Sequence, residues 1–332
     1  MTSLIDPAIL FFIFGLLAGL LRSNLELPQP ISRFLSLYLL MALGLKGGFA
    51  LAASGLSSEV VTGLATGVLL AVTIPLVGYL LLRRWLPVFD AVAVAATYGS
   101  VSAVTFVTAV QILDHANVDY GGHMAATMAL MEAPAVLLAV LFANHARGQM
   151  TTNKGRLPIA AGERVPEPPA PLRKVLHESL TDGAQLLLLG SMAVGILSGD
   201  AGKAAMAPFS IDLFKGMLAF FLLDMGLLTA RHLPAVRGTS RWLVAYALGA
   251  PLLHASLALG LAKATGMSVG DGTLLMALAA SASYIAVPAV LRHAIPEARP
   301  ALYFGMSLGI TFPFNILLGV PLYLSLAREV LG

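Results

Sequence analysis

Cysteine is missing from all 332 residues, which excludes disulfides and thiolate metal sites. Charge is scarce too: Asp, Glu, Lys and Arg make up 11% of the chain, where soluble domains carry about a quarter. No Walker loop, dinucleotide-binding glycine fingerprint or nucleophile elbow occurs, so ATP-driven work, nucleotide-cofactor chemistry and serine hydrolysis lack sequence support. His254, His115 and His293 are read as ordinary hydrogen-bonded or loop histidines and not as metal ligands. The net charge of +3 is concentrated in loops and points to no nucleic-acid partner. The first apolar run lacks a basic leading region and a small-residue cleavage site, so it reads as a retained span.

What remains is hydrophobicity. Apolar residues are 58% of the chain and the mean hydropathy is +0.86. A soluble fold has no interior large enough for that surface, whereas a lipid bilayer covers it at no cost. Ten stretches are long enough to cross the hydrocarbon core: 5–21, 31–53, 60–82, 88–113, 124–143, 180–198, 214–228, 242–264, 273–290 and 301–326. The expected class is an all-α polytopic membrane protein of about ten transmembrane helices. A polar segment with Pro166, Pro168, Pro169 and Pro171 separates two halves. This divides the chain into residues 1–144, a linker at 145–179, and residues 180–332.

The halves echo each other. Ser100-Val101-Ser102 in the fourth stretch recurs as Ser281-Ala282-Ser283 in the ninth. Leu113, His115 and Ala116 match Leu291, His293 and Ala294, while Glu132 and Pro134 match Thr311 and Pro313. Leu43-Gly44-Leu45 resembles Met225-Gly226-Leu227. Five crossings per copy force the second copy to traverse the membrane in the opposite sense, giving two inverted five-helix repeats with broken helices 4 and 9. Most basic residues, among them Arg83, Arg84, Arg231, Arg241, Arg292 and the linker cluster, then fall on one side. Positive loops stay in the cytoplasm, so the linker is expected there and both termini outside the plasma (inner) membrane.

A helix break in lipid survives only where its freed backbone groups face protein, water or a ligand. At the N-terminus of a half-helix those groups and the helix dipole favour an anion. Ser100, Ser102, Thr105, Ser281 and Ser283 are therefore the candidate substrate-binding residues for a small anion. Glu132, an acid within a span beside Pro134, is the candidate cation ligand, with Thr311 and Asn315 near Pro313 as its mirror. The alternative for Glu132, and for Asp224 in the seventh stretch, is pairing with Lys46 or Lys215. For the serine triplets it is close packing of small residues.

Several segments taken together resemble the sodium-dependent bicarbonate transporters of cyanobacteria, the SbtA family. They are Gly44-Leu45-Lys46-Gly47-Gly48, Tyr98 to Thr105, Met131-Glu132-Ala133-Pro134, Ser281 to Ile285, Pro288, Leu291-Arg292 and Ile295-Pro296. The resemblance implies an elevator-type secondary transporter, a homotrimer, importing bicarbonate with Na+ as coupling ion. It implies an anion site where the fourth and ninth spans cross, at Ser102, Thr105, Ser281 and Ser283, and a PII-like regulatory protein on the cytoplasmic face. Ala103-Val104 and Tyr284 depart from the family pattern, the latter standing where that pattern has an acid. Two other readings stay open: a transporter of another small anion such as a monocarboxylate, and a non-transporting membrane sensor of the same fold.

Overall fold

The computed structural model describes residues 6–55, 57–153, 183–236 and 240–332. Among them regular structure is entirely helical. The first half holds α1 (Pro7–Leu20), α2 (Gln29–Ser54), α3 (Ser58–Leu82), α4 (Val88–Gly99), α5 (Ala103–His115) and α6 (His123–Asn153). The second holds α7 (Gly183–Ala207), α8 (Phe214–Val236), α9 (Arg241–Thr265), α10 (Val269–Ala280), α11 (Ala286–Ala294) and the compound helix α12 (Pro300–Leu331). The order is the same in both: three helices, a pair separated by an extended step, then a long helix. The linker expected at 145–179 begins inside α6, and its residues 154–179 lie outside the described residues.

Among the described residues seven helical stretches are long and apolar enough to cross a membrane, which makes this a polytopic membrane protein. That number is below ten for physical reasons. Of the ten stretches expected, the sixth and seventh run together as α7–α8, α1 has 14 residues and α10 has 12. A helix of 14 residues covers only about 21 Å, short of a hydrocarbon core of about 30 Å.

Local chemistry sets the helix ends. The Asp6 carboxylate accepts from the Ala8 N–H at 2.8 Å, and Pro7, which has no N–H to satisfy, takes the first turn of α1. Ser268 caps α10 by accepting from the Asp271 N–H. Gly266 closes α9 in the left-handed conformation. In α12 two widened π turns, Ser307–Thr311 and Asn315–Gly319, each end two residues before a proline, Pro313 and Pro321. A proline ring crowds the carbonyl four residues back, and widening the preceding turn relieves that contact.

Packing sorts the helices into two groups. In one, α1 lies along α8 and α2 along α7, with α2 also against α8. In the other, α3, α4 and α6 pack together, α9 packs on α10, and α12 closes over α10 and α5. The repeated glycines explain how closely the first group packs. A Cβ on Gly44 would lie 2.4 Å from the Leu188 carbonyl oxygen, and one on Gly226 would lie 2.2 Å from that of Phe12. The resemblance between those two segments therefore records two equivalent backbone-to-backbone crossings.

The second group is tied by two buried aspartates. Asp90, in the first turn of α4, accepts from the Arg299 N–H at 2.8 Å and from its guanidinium, just before α12. Asp271, in the first turn of α10, accepts from the Gly121 N–H just before α6. Each half-helix thus anchors the chain entering the last helix of the other half.

Candidate functional site

Two interruptions lie at the heart of the second helix group. After α4, Ser100 is extended (φ −98°, ψ 178°) and Ser102 becomes the N-cap of α5, its hydroxyl accepting from the Thr105 N–H at 3.2 Å. After α10, Ser281 is extended (φ −79°, ψ 166°), and the chain becomes helical again at Ala286. The Ser283 hydroxyl accepts from the Val287 N–H at 3.3 Å. Serine suits these places because one hydroxyl satisfies a backbone donor that the broken ladder leaves without a partner.

The two breaks bind each other. The Ser102 N–H donates to Ser281 Oγ at 2.9 Å, and Ser281 Oγ donates in turn to the Leu278 carbonyl at 2.8 Å. In the opposite direction the Ser283 N–H donates directly to the Thr97 carbonyl at 2.8 Å. One strand of contact therefore runs through a hydroxyl and the other does not. That difference leaves Ser100, the counterpart of Ser281, with nothing to bridge: its Oγ is buried and has no hydrogen-bond partner among the described residues. Thr105 Oγ1, on the first turn of α5, is likewise buried and unpaired, as is Gln111 Oε1 further along that helix.

All five candidate anion ligands come together at this crossing, each at most 3% exposed. The N-termini of α5 and α11 both start there, so two helix dipoles present their positive ends to one small region. Buried unpaired hydroxyls are costly, about 1–3 kcal/mol each, unless something else fills their valences. The arrangement offers O–H and N–H donors to a small oxyanion. Tyr284 lies at the edge of this region, its hydroxyl against Ser102 and 3.8 Å from Met225 Sδ on α8.

The candidate cation ligands have separate partners. Glu132 on α6 accepts from the Gln185 amide of α7, joining the two helix groups. Thr311 Oγ1 donates to the Ala247 carbonyl at 2.7 Å and meets the Tyr98 hydroxyl at 2.6 Å. Asn315 donates from Nδ2 to the Ala280 carbonyl at 2.8 Å and accepts at Oδ1 from Tyr323. Asn315 is therefore joined to the residue just before Ser281, while Glu132 lies at an interface between helix groups. Asp224 is half-buried and hydrogen-bonded to Ser32, and Lys46 pairs with Asp114.

Sequence reasoning passed over the Thr97 and Leu278 carbonyls and the aspartate anchors. Backbone acceptors have no residue-type signature. Asp90 and Asp271 did have one, since they stand at the same offset as the two serine triplets. Outside the spans, two groups have displaced proton affinities. Burial and the nearby Asp114 carboxylate push the Tyr120 phenol up. For Glu297, burial alone would raise the carboxyl, but the Arg147 guanidinium outweighs it and holds Glu297 below its ordinary value.

A comparison with curated proteins finds no match. A family profile, described as the Na+-dependent bicarbonate transporter superfamily, matches residues 7–328, nearly the whole chain including both breaks. With that match and the crossed, serine-lined breaks of a polytopic membrane protein together, the chain belongs to the Na+-dependent bicarbonate transporter superfamily.

Proposed function

We propose that this protein is a secondary transporter that imports bicarbonate coupled to sodium by an elevator movement of one helix group against the other. The observation that carries the reading is the reciprocal hydrogen bonding of the two breaks beside the unpaired hydroxyls of Ser100 and Thr105. Bicarbonate is a small planar anion with one O–H and an anionic carboxylate, so it takes several hydroxyl and N–H donors and returns one. Ser100, Ser102, Thr105, Ser281 and Ser283 form its cradle, with Ser100 and Thr105 contributing the free hydroxyls.

Inverted repeats over 1–144 and 180–332, with ten crossings, are supported by three matched pairs of contacts. Gly44 and Gly226 sit at helix crossings, Asp90 and Asp271 anchor opposite chains, and Ser102 and Ser283 reach across the breaks in opposite directions. The group of α3 to α6 with α9 to α12 holds both breaks and would move as one body. The group of α1, α2, α7 and α8, knitted at glycine crossings, would stay fixed, and in a homotrimer it would supply the contacts. The coupling sodium is assigned to Glu132, Thr311 and Asn315, of which Asn315 is bonded nearest the second break. Orientation follows the basic loops: plasma membrane, both termini outside, with the 145–179 linker in the cytoplasm, where a PII-like protein would dock.

The test is uptake of labelled bicarbonate into proteoliposomes under an inward sodium gradient. Uptake that vanishes when choline replaces sodium supports the proposal, while uptake indifferent to sodium removes the coupling. The burial of Tyr284 against Met225 favours a second reading, in which a small monocarboxylate with an apolar end is carried. Stronger inhibition of flux by acetate or lactate than by bicarbonate would select it. Ligand binding without flux in sealed vesicles would instead identify a sensor.

A further inference from the structure

One cavity, of about 560 Å³, lies between the two helix groups, and the site described above does not include it. Its walls are α2 (Leu43 to Ala50), α5, the 117–122 segment, the first turn of α6, and Lys203 and Ser210 near the end of α7. It opens where α6 begins and α7 ends, so it lies at the end of the molecule opposite Asn153 and Gly183. Along α5 it is lined by Phe106, Val110 and Asp114, residues at fourfold spacing that form one stripe. From Asp114 down to Phe106 that stripe runs about 12 Å at 1.5 Å per residue. Phe106 directly follows Thr105, whose hydroxyl is unpaired. The lining thus follows α5 from one face of the protein toward the first break, with Val110 and Phe106 buried beneath Asp114.

Across this cavity stands an ion pair. Lys46 Nζ, on α2, is 3.3 Å from Asp114 Oδ2, on α5, and the two side chains are 21% and 32% exposed. The ammonium also lies 4.4 Å over the Phe214 ring at the start of α8, and the Tyr120 hydroxyl donates to Asp114 Oδ1 at 3.0 Å. Asp114 occupies the last turn of α5, where the helix dipole disfavours a carboxylate, so it depends on Lys46 and Tyr120 for compensation. The pair has no equivalent in the other half. The matching offsets place Arg292 opposite Asp114 and Leu228 opposite Lys46, and those two residues cannot form an ion pair. In a molecule whose halves exchange roles, such a contact stabilises only one of the two end states.

We propose that this cavity is the outer vestibule of the anion path and that the Lys46–Asp114 pair is its gate. With Lys46 held by Phe214, opening the pair exposes an ammonium to an incoming monovalent anion while Asp114 keeps Tyr120. This rests on the transport reading above, including its orientation.

The lack of native cysteine allows a direct test. Val110→Cys and Ala50→Cys are placed in proteoliposomes of known orientation and treated with a membrane-impermeant thiol reagent, with labelling read by intact mass. Labelling from the outer face that blocks sodium-driven uptake is the expected result. Lys46→Gln should raise the labelling rate about two- to fivefold, as loss of a partly exposed ion pair would. The charge exchange Lys46→Asp with Asp114→Lys should restore it. Labelling only from the inner face, labelling that leaves uptake intact, or a rate indifferent to Lys46→Gln would overturn the proposal. Wild-type uptake, measured alongside, tests the transport reading separately.

Discussion

The Ser281 hydroxyl accepts from the Ser102 N–H at 2.9 Å and donates to the Leu278 carbonyl at 2.8 Å, so a single side chain stitches two interrupted helices together. Its sequence counterpart Ser100 does none of this, because the Ser283 N–H reaches the Thr97 carbonyl unaided. Two serines that look interchangeable in the repeat therefore differ in kind. One is filled by the fold, and the other is left without a partner among the described residues.

That difference predicts opposite mutant behaviour. Ser281→Ala leaves the Ser102 N–H without its acceptor, while the Leu278 carbonyl keeps the Ser281 N–H, and should destabilise the protein by about 1–3 kcal/mol. Ser100→Ala should leave thermal stability in detergent unchanged or slightly higher, yet raise the KM for bicarbonate. Equal stability losses in the two variants would contradict the assignment.

Gly226→Leu drives a branched side chain into the Phe12 carbonyl and should part α1 from α8. Overpacking of this kind costs about 1–3 kcal/mol or more. A Gly249→Ala control, where a Cβ meets nothing within 4 Å, should be neutral or stabilising. Fluorescence-detected size exclusion after heating distinguishes them.

Asp90 is buried and bound to both the backbone and the guanidinium of Arg299. Asp90→Ala loses a charge-assisted cap and leaves the Arg299 N–H unpaired, a cost of about 1.5–3 kcal/mol. Asp271→Ala should weaken the entry to α6 by a similar amount. If unfolding midpoints show no loss in either variant, these anchors are dispensable.

Glu297 binds Arg147 through two hydrogen bonds, at 2.7 and 2.8 Å, and its folded proton affinity is lowered. A depressed carboxyl adds stability above its unfolded pKa and loses it as pH falls through the folded one. At neutral pH, Glu297→Gln should therefore be less stable than wild type, by less than about 1 kcal/mol because the pair is partly exposed. The two proteins should converge below the ordinary carboxylate range. Parallel melting curves across acid pH would show that the pair contributes nothing.

Much of this was legible in the chain itself. Composition alone required a bilayer, since 58% apolar residues with 11% charge leave no other solvent for the surface. The serine triplets marked the breaks because small polar residues in an apolar run weaken a lipid-facing helix. The segments around Gly44 and Gly226 showed in the sequence as a resemblance between the halves. These are local properties, read from residue type and spacing.

Other features belong to the tertiary structure. Which serine is spent and which is free depends on a hydrogen bond between residues far apart in sequence, and both serines have the same local environment. The partners of Thr311, Asn315 and Glu132 were not legible either, because side chains pair with whatever packing brings within about 3 Å. The cavity beside α5 and the ion pair across it are likewise products of how two helix groups meet. Residue chemistry determined that this chain crosses a membrane and breaks two of its helices. Long-range packing, which carries no local signal, decided where the polar groups left over by those breaks would face.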